Sequence, residues 1–171
     1  MRKIFHYCIL TLAIVSCSNA KISVSDKKFP SISLINHFEY FGSGHEFNQL
    51  GTAFLLKYRN ETFAITAKHT LAILKPDSSK NLTLENFIKV WTMSPLNKEK
   101  EIVIVDKLLN ENKNESLKSE NLYEKDWLVF SIKENRANVI PLEFREKPLV
   151  KGEKLYVIGW TRHMKEGNQR V

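Results

Sequence analysis

The stretch GTAFLLKYRNETFAITAKHT, residues 51–70, holds two short runs rich in apolar and β-branched residues. The two runs, residues 51–58 and 62–66, have the length and composition of β-strands, and the polar residues between them suit a turn. Asn60 tolerates the positive φ that such a turn often needs. We therefore expect a β-hairpin here, followed at once by His69.

The rest of the chain repeats this pattern of short strands and turns. No segment has a helical period longer than one turn. Further strands are expected at residues 31–41, 87–93, 101–108, 127–132 and 154–160, a short helix or turn at 71–74, and polar loops at 75–85 and 110–125. Around six short strands without β-α-β alternation favour an all-β barrel or sandwich.

The N-terminal residues are similar to a bacterial export signal, with basic residues before an apolar stretch too short to span a membrane. The tetrapeptide IVSC, residues 14–17, resembles a lipobox. We therefore favour a lipoprotein-type signal peptide at residues 1–16 and a protein anchored in the bacterial cell envelope through lipidated Cys17. The alternative is cleavage after Ala20, which would release the protein into the periplasm or the medium.

The charge pattern does not indicate a nucleic-acid partner. The chain has 26 Lys and Arg against 19 Asp and Glu, a formal net charge of +7. Its lysines are interleaved with Glu and Asn, as in residues 110–126, and form no basic stripe with aromatic residues for base stacking. Cysteines and histidines lack the spacing of metal sites, so no metal or cofactor is expected.

Three motifs occur in an informative order. GTAF at residues 51–54 lies in the first strand of the hairpin, TAKH at 66–69 ends the second, and DWLVF at 126–130 follows much later. Together they resemble the N-terminal half of a trypsin-like (chymotrypsin-fold) serine peptidase, over residues 51–160. In that family a Gly-x-Gly/Ala-Phe strand pairs with a strand ending in Thr-Ala-x-His, and an Asp opens a later apolar run.

This resemblance implies an all-β fold. Residues 31–140 would form the six-stranded antiparallel barrel that is the first of a chymotrypsin-like double β-barrel, after a tether at residues 17–30. Residues 141–171 would be a connector and the opening strand of a second, truncated barrel. The resemblance also implies catalytic roles for His69 as general base and Asp126 as its orienting carboxylate, with peptides or proteins as substrates.

The third member of a Ser-His-Asp triad is missing from its expected place. After Asp126 the only serine is Ser131, which falls inside a strand. The segment Gly-Ser-Gly at residues 42–44 precedes the hairpin, opposite to the family's order, and is interpreted as a loop. The resemblance therefore implies that the nucleophile lies beyond Val171, and that these residues alone are inactive.

Two functions remain open from the sequence. The first is a trypsin-like serine endopeptidase of which this chain is the N-terminal portion. The second is a catalytically inactive, peptidase-like lipoprotein that acts as a binding module for a peptide or a surface partner.

Overall fold

The computed structural model describes residues 30–41, 46–76, 78, 80–118 and 125–159, with backbone pairing alone for residues 46–49. The expected signal peptide, Cys17, almost all of the tether and the Gly-Ser-Gly segment at 42–44 lie outside the described residues.

The fold is all-β with one short helix. In chain order, its elements are β1 (Ser33–Tyr40), β2 (Glu46–Tyr58), β3 (Glu61–Thr66), α1 (Lys68–Leu74), β4 (Asn81–Leu82), β5 (Ile88–Ser94), β6 (Val103–Leu108), β7 (Asn112–Ser116), β8 (Leu128–Asn135) and β9 (Leu142–Glu143).

The predicted hairpin is confirmed: β2 and β3 pair antiparallel, from Ala53 opposite Thr66 to Tyr58 opposite Glu61. The turn between them contains two residues, and the positive φ of 55° belongs to Arg59. Its placement at Asn60 was therefore wrong. A positive φ at the first central residue alone is the pattern of a type II′ hairpin turn, whereas a type I′ turn would need it at both residues.

Six strands close into an antiparallel barrel, and the expected fold class is confirmed. The strands follow the order β1-β5-β6-β8-β3-β2, and β1 also pairs with β2 to close the ring. Closure leaves no unpaired edge among these six strands. The barrel is compatible with the first barrel of a chymotrypsin-like protease.

Alternating side chains of the strands fill the barrel with apolar groups. Along β8, Leu128 and Phe130 are buried while Val129 between them is half-buried, as the two-residue period of a strand requires. Trp91 of β5 packs against Phe130 and, edge to face, against Phe38 of β1, with ring centroids 4.7 and 4.5 Å apart. These aromatic contacts join strands that are distant in the sequence and centre the core.

The β1–β2 ladder is irregular around Asn36, where the register shifts on both sides. The Asn36 side chain is fully buried, and its amide nitrogen donates to Leu50 O at 2.8 Å and to Thr66 Oγ1 at 3.0 Å. Its side-chain oxygen accepts from the indole N–H of Trp91 at 3.0 Å. A buried amide with partners for both of its polar atoms offsets the desolvation of placing it in the core.

A second, two-stranded sheet lies where the sequence predicts only loops. We call it the β4–β7 ribbon, since β4 pairs antiparallel with β7, with Asn81 opposite Ser116. Leu117 N also donates to Lys80 O at 3.1 Å. The strands are short and mostly polar, so they lack the alternating apolar pattern by which strands are predicted from sequence.

The chain after the barrel differs from the prediction. Strand β9 pairs parallel with the outer side of β2, with Leu56 opposite Leu142. The predicted strand at residues 154–160 is wrong for residues 154–158, which form no ladder; Gly159 makes a single bridge. Apolar side chains with this composition form a strand only where a neighbouring strand supplies hydrogen bonds.

Several large apolar side chains of this segment are exposed, and Val157 is the extreme at 89%. The others are Ile140, Leu142, Phe144, Leu149, Val150, Leu155 and Tyr156.

In the described ranges, no helix has the length and hydrophobicity to cross a bilayer.

Candidate functional site: a histidine and aspartate pair at one barrel end

The pairing of β3 with β8 brings His69 and Asp126 together. The two strands run antiparallel, and the last residue of β3, Thr66, lies opposite the first residue of β8, Leu128. Antiparallel pairing places the end of one strand beside the beginning of the other. His69 comes just after β3 and Asp126 just before β8, so both extend from the same end of this strand pair.

The carboxylate of Asp126 holds His69 at two points. Its Oδ2 lies 2.6 Å from Nδ1 of the imidazole, and its Oδ1 accepts a hydrogen bond from the backbone N–H of His69 at 2.8 Å. The first contact orients the ring, and the second fixes the same carboxylate to the backbone of the residue that carries the ring. With Nδ1–H donated to the carboxylate, the basic nitrogen of the ring is Nε2.

Asp126 also replaces the missing N-cap of helix α1. Ala67 stands at the N-cap and has no side-chain oxygen to accept a hydrogen bond from the first turn. The backbone N–H of His69, one of those that a helix start leaves without an intrahelical partner, donates instead to Asp126. The helix start and the imidazole are thus positioned by the same carboxylate.

The pair is partly shielded from solvent while the imidazole stays accessible. The side chain of His69 is 39% exposed and that of Asp126 is 20% exposed. A carboxylate in a partly shielded site interacts more strongly with its partner than it would in bulk water. A molecule from solution can still reach the ring, as a proton-transfer role requires.

Gly51 supports the site from β2, a role that sequence reasoning missed. Its φ is +66°, and a β-carbon there would lie 3.0 Å from Oγ1 of Thr70, on the helix that carries His69. Only glycine combines this backbone conformation with such a close approach. The motif GTAF contained this signal, because its glycine interrupts a strand pattern.

Thr66 and Thr52 continue the buried polar contacts toward the site. Thr66 Oγ1, which accepts from Asn36, donates to Thr52 O at 3.0 Å. The side chain of Thr52 lies close to Gly159: a β-carbon added to Gly159 would lie 3.3 Å from Oγ1 of Thr52. These contacts fix the end of β3 from which His69 extends.

The structure describes one further residue that the sequence analysis considered, Ser131, and its side chain contacts β6. Ser131 is on β8, where its Oγ accepts from Lys107 N at 3.1 Å and lies 3.4 Å from Asp106 Oδ2 on β6. Cys17 and Ser43 fall outside the described residues. The structure therefore brings together His69 and Asp126 of the predicted groups, and their catalytic role stays a prediction.

In the part of the chain that the structure describes, neither a metal-ligating cluster nor the cavity at the hairpin turn coincides with this pair. Within the described residues, no three His, Cys, Asp or Glu side chains lie close enough together to hold a metal ion. A cavity of about 280 Å³ lies at the turn end of the hairpin, between Tyr58 and Phe144, and its other lining residues are Lys57, Arg59, Glu143 and Glu146. His69 follows the opposite end of β3.

Comparisons with known proteins add no relative to these observations. No protein-family model matches the chain, and neither the curated proteins nor the solved structures contain a match to it. The evidence for its function is therefore the geometry of this chain.

Proposed function

We propose that the protein is a serine endopeptidase that hydrolyses peptide bonds, with His69 and Asp126 as two members of its Ser-His-Asp triad. The observation that carries the proposal is the double contact of the Asp126 carboxylate with the ring and the backbone of His69. The pair stands at the end of a closed six-stranded barrel. Rigid strands of this kind hold a catalytic pair in a fixed geometry.

The geometry suits the chemistry of peptide hydrolysis. A serine hydroxyl becomes an effective nucleophile when an imidazole takes its proton, and Nε2 of His69 is the nitrogen that would accept it. The same nitrogen would then give the proton to the departing amine. Asp126, held at 2.6 Å from Nδ1, would stabilise the positive charge that the ring carries between these steps.

The nucleophile and the oxyanion hole would come from outside the described residues. In the family that the sequence resembles, both belong to one Gly-Asp/Asn-Ser-Gly-Gly segment, whose backbone N–H groups bind the developing oxyanion. Lipidation of Cys17 would place the enzyme at the surface of a bacterial membrane. The substrates would then be peptides or proteins of the cell envelope or its surroundings.

The test is covalent labelling of the natural full-length protein with a fluorophosphonate, which reacts with activated serines. We expect the wild type to gain the mass of one probe. His69→Ala and Asp126→Asn should slow labelling, the latter on the order of 10⁴-fold, because the imidazole loses the partner that fixes its tautomer. Asp106→Asn is the matched control, since Asp106 is an exposed aspartate on β6.

Absence of labelling in the natural full-length wild type would contradict the proposal. So would labelling that Asp126→Asn and Asp106→Asn reduce equally, because the reaction would then not depend on the carboxylate beside His69.

A second candidate is an inactive, peptidase-like lipoprotein that binds peptides beside His69. The observation that favours it is an exposed apolar side chain, Ile73, on the helix that carries His69. An unlabelled protein that binds a peptide library with micromolar affinity, and loses that binding in Ile73→Asp, would support it. Ile73 is on α1 and is 63% exposed.

A further inference from the structure

Two buried lysines flank the helix that carries His69. Lys68 is the first residue of α1, and Lys75 follows its last residue. Each is only 4% exposed. Lysine is almost never buried to this degree without partners for its ammonium group, so the partners of these two side chains show what their burial achieves.

Lys68 binds one strand of the β4–β7 ribbon. Its ammonium nitrogen lies 2.7 Å from Oε1 of Glu115 on β7. The lysine end of this ion pair is buried, and the glutamate side chain is 37% exposed. Partial burial makes such a pair more specific in its geometry than an exposed pair, whose charges are screened.

Lys75 binds the other strand of the same ribbon. Its ammonium nitrogen lies 2.6 Å from Oδ1 and 3.1 Å from the backbone oxygen of Asn81, on β4. It also lies 2.9 Å from the backbone oxygen of Thr83 and 3.2 Å from its Oγ1. Four neutral oxygens thus surround one ammonium group, an arrangement that allows little displacement of either side.

The ribbon connects the helix to the chain that leads to Asp126. Glu115 and Asn81 lie on its two paired strands, with Asn81 opposite Ser116. Among the described elements, β7 is the last before β8, and Asp126 stands between them. Both ends of α1 are therefore fixed to an element that precedes the orienting aspartate.

We propose that Lys68 and Lys75 are positioning residues that clamp helix α1 to the β4–β7 ribbon and so set the contact between His69 and Asp126. Their value for catalysis rests on the proposed peptidase function, whereas their effect on the geometry of the pair does not. The partners described for both ammonium groups lie on or next to the ribbon. Each lysine acts through the position of the helix.

The readout is the proton on Nδ1 of His69. This proton lies between Nδ1 and Oδ2 of Asp126, which are 2.6 Å apart. It should therefore give a strongly deshielded proton NMR resonance and exchange slowly with solvent. A residue that only stabilises the fold would lower the melting temperature without changing this resonance in the folded protein. Assignment comes from its disappearance in His69→Gln.

The variants are Lys68→Met and Lys75→Met in the natural full-length protein, which keep side-chain length and remove the charge. We expect the deshielded resonance to be lost, or to shift upfield and exchange faster, in both. The conservative variant Lys68→Arg should keep the deshielded resonance, because Arg can also form an ion pair with Glu115. The matched control is Lys89→Met, which removes an exposed ion pair with Glu39 and should leave the resonance unchanged.

Glu115→Gln and Thr83→Val provide the milder tests, in case a methionine variant does not fold. Glu115→Gln removes the negative charge beside Lys68, Thr83→Val removes one hydroxyl acceptor of Lys75, and each should weaken or shift the resonance. An unchanged resonance in the folded methionine variants would overturn the clamp, as would an unchanged resonance in both milder variants. Because the resonance needs no serine nucleophile, failure of the clamp and failure of fluorophosphonate labelling are separate results.

Discussion

Gly51 and Thr70 approach so closely that a β-carbon on Gly51 would lie 3.0 Å from Thr70 Oγ1. The contact joins β2 to the helix that carries His69. Gly51→Ala should lower the free energy of unfolding by about 2 kcal/mol, because it adds left-handed backbone strain to a steric contact. Urea denaturation measures the loss.

Thr70→Ala supplies the control, since it removes the opposing oxygen. The double variant Gly51→Ala/Thr70→Ala is expected to lose less stability than the sum of the two single variants. Additive losses would show that strain at Gly51 alone, without the contact to the helix, accounts for the effect.

Asn36→Leu should destabilise the barrel by about 2 to 4 kcal/mol, because it removes the acceptor of the buried Trp91 indole N–H and the donor to Leu50 O. Chemical denaturation followed by tryptophan fluorescence measures it. In a Trp91→Phe background the indole N–H is absent, so the same substitution should cost less. Equal costs in both backgrounds would contradict the role of this hydrogen bond.

Asp126→Ala should destabilise the fold more than His69→Ala does. The aspartate accepts the backbone N–H at the start of α1 in addition to contacting the ring, and loss of a helix cap costs about 1 kcal/mol. The His69→Ala chain keeps that N–H. Thermal unfolding compares the two, with Asp106→Ala as the surface control, and an equal loss in both site variants would contradict the capping role.

The pKa values of Lys75 and Lys113 should be shifted in opposite directions from the pKa of an ordinary lysine. Burial lowers the pKa of Lys75, an effect that Glu111 and Glu85 partly offset. A hydrogen bond to Glu85 raises the pKa of Lys113, whose Nζ lies 2.7 Å from that carboxylate. A titration of the ¹⁵N-labelled lysine side chains should show Lys75 releasing its proton first, and the reverse order would contradict this.

The lowered pKa of Lys75 has a consequence for stability. The folded chain binds fewer protons at this side chain than the unfolded chain does, between the folded and the unfolded pKa values. The free energy of unfolding should therefore rise with pH across that interval. In Lys75→Met this part of the pH dependence should disappear.

The barrel strands were largely predictable because their composition is local information. The β-branched and aromatic runs of β2, β3, β6 and β8 are visible in the sequence itself, and in β2 and at the start of β8 alternate residues lie in the core. The closing pair β1–β2 and the order around the ring are not local, since they depend on which apolar faces can share one core. The β4–β7 ribbon was missed because its residues are polar and its pairing joins segments far apart in the sequence.

The site was predictable in part for a related reason. The types and order of His69 and Asp126 suggested a pair, but only the register of β3 against β8 brings them into contact. In the sequence, nothing distinguishes Lys68 and Lys75 as buried residues from the other lysines of this lysine-rich chain. Their burial depends on oxygens of the β4–β7 ribbon, which no local pattern near either lysine indicates.

The β3–β8 pairing also determines when the site can first exist during synthesis. His69 and Asp126 are 57 residues apart, and β8 follows Asp126. At roughly 5 to 20 residues per second, a ribosome needs about 3 to 11 s to extend the nascent chain from the histidine to the aspartate. During that interval β3 can pair with β2 but not with β8, so the site is assembled only after most of the barrel has been translated.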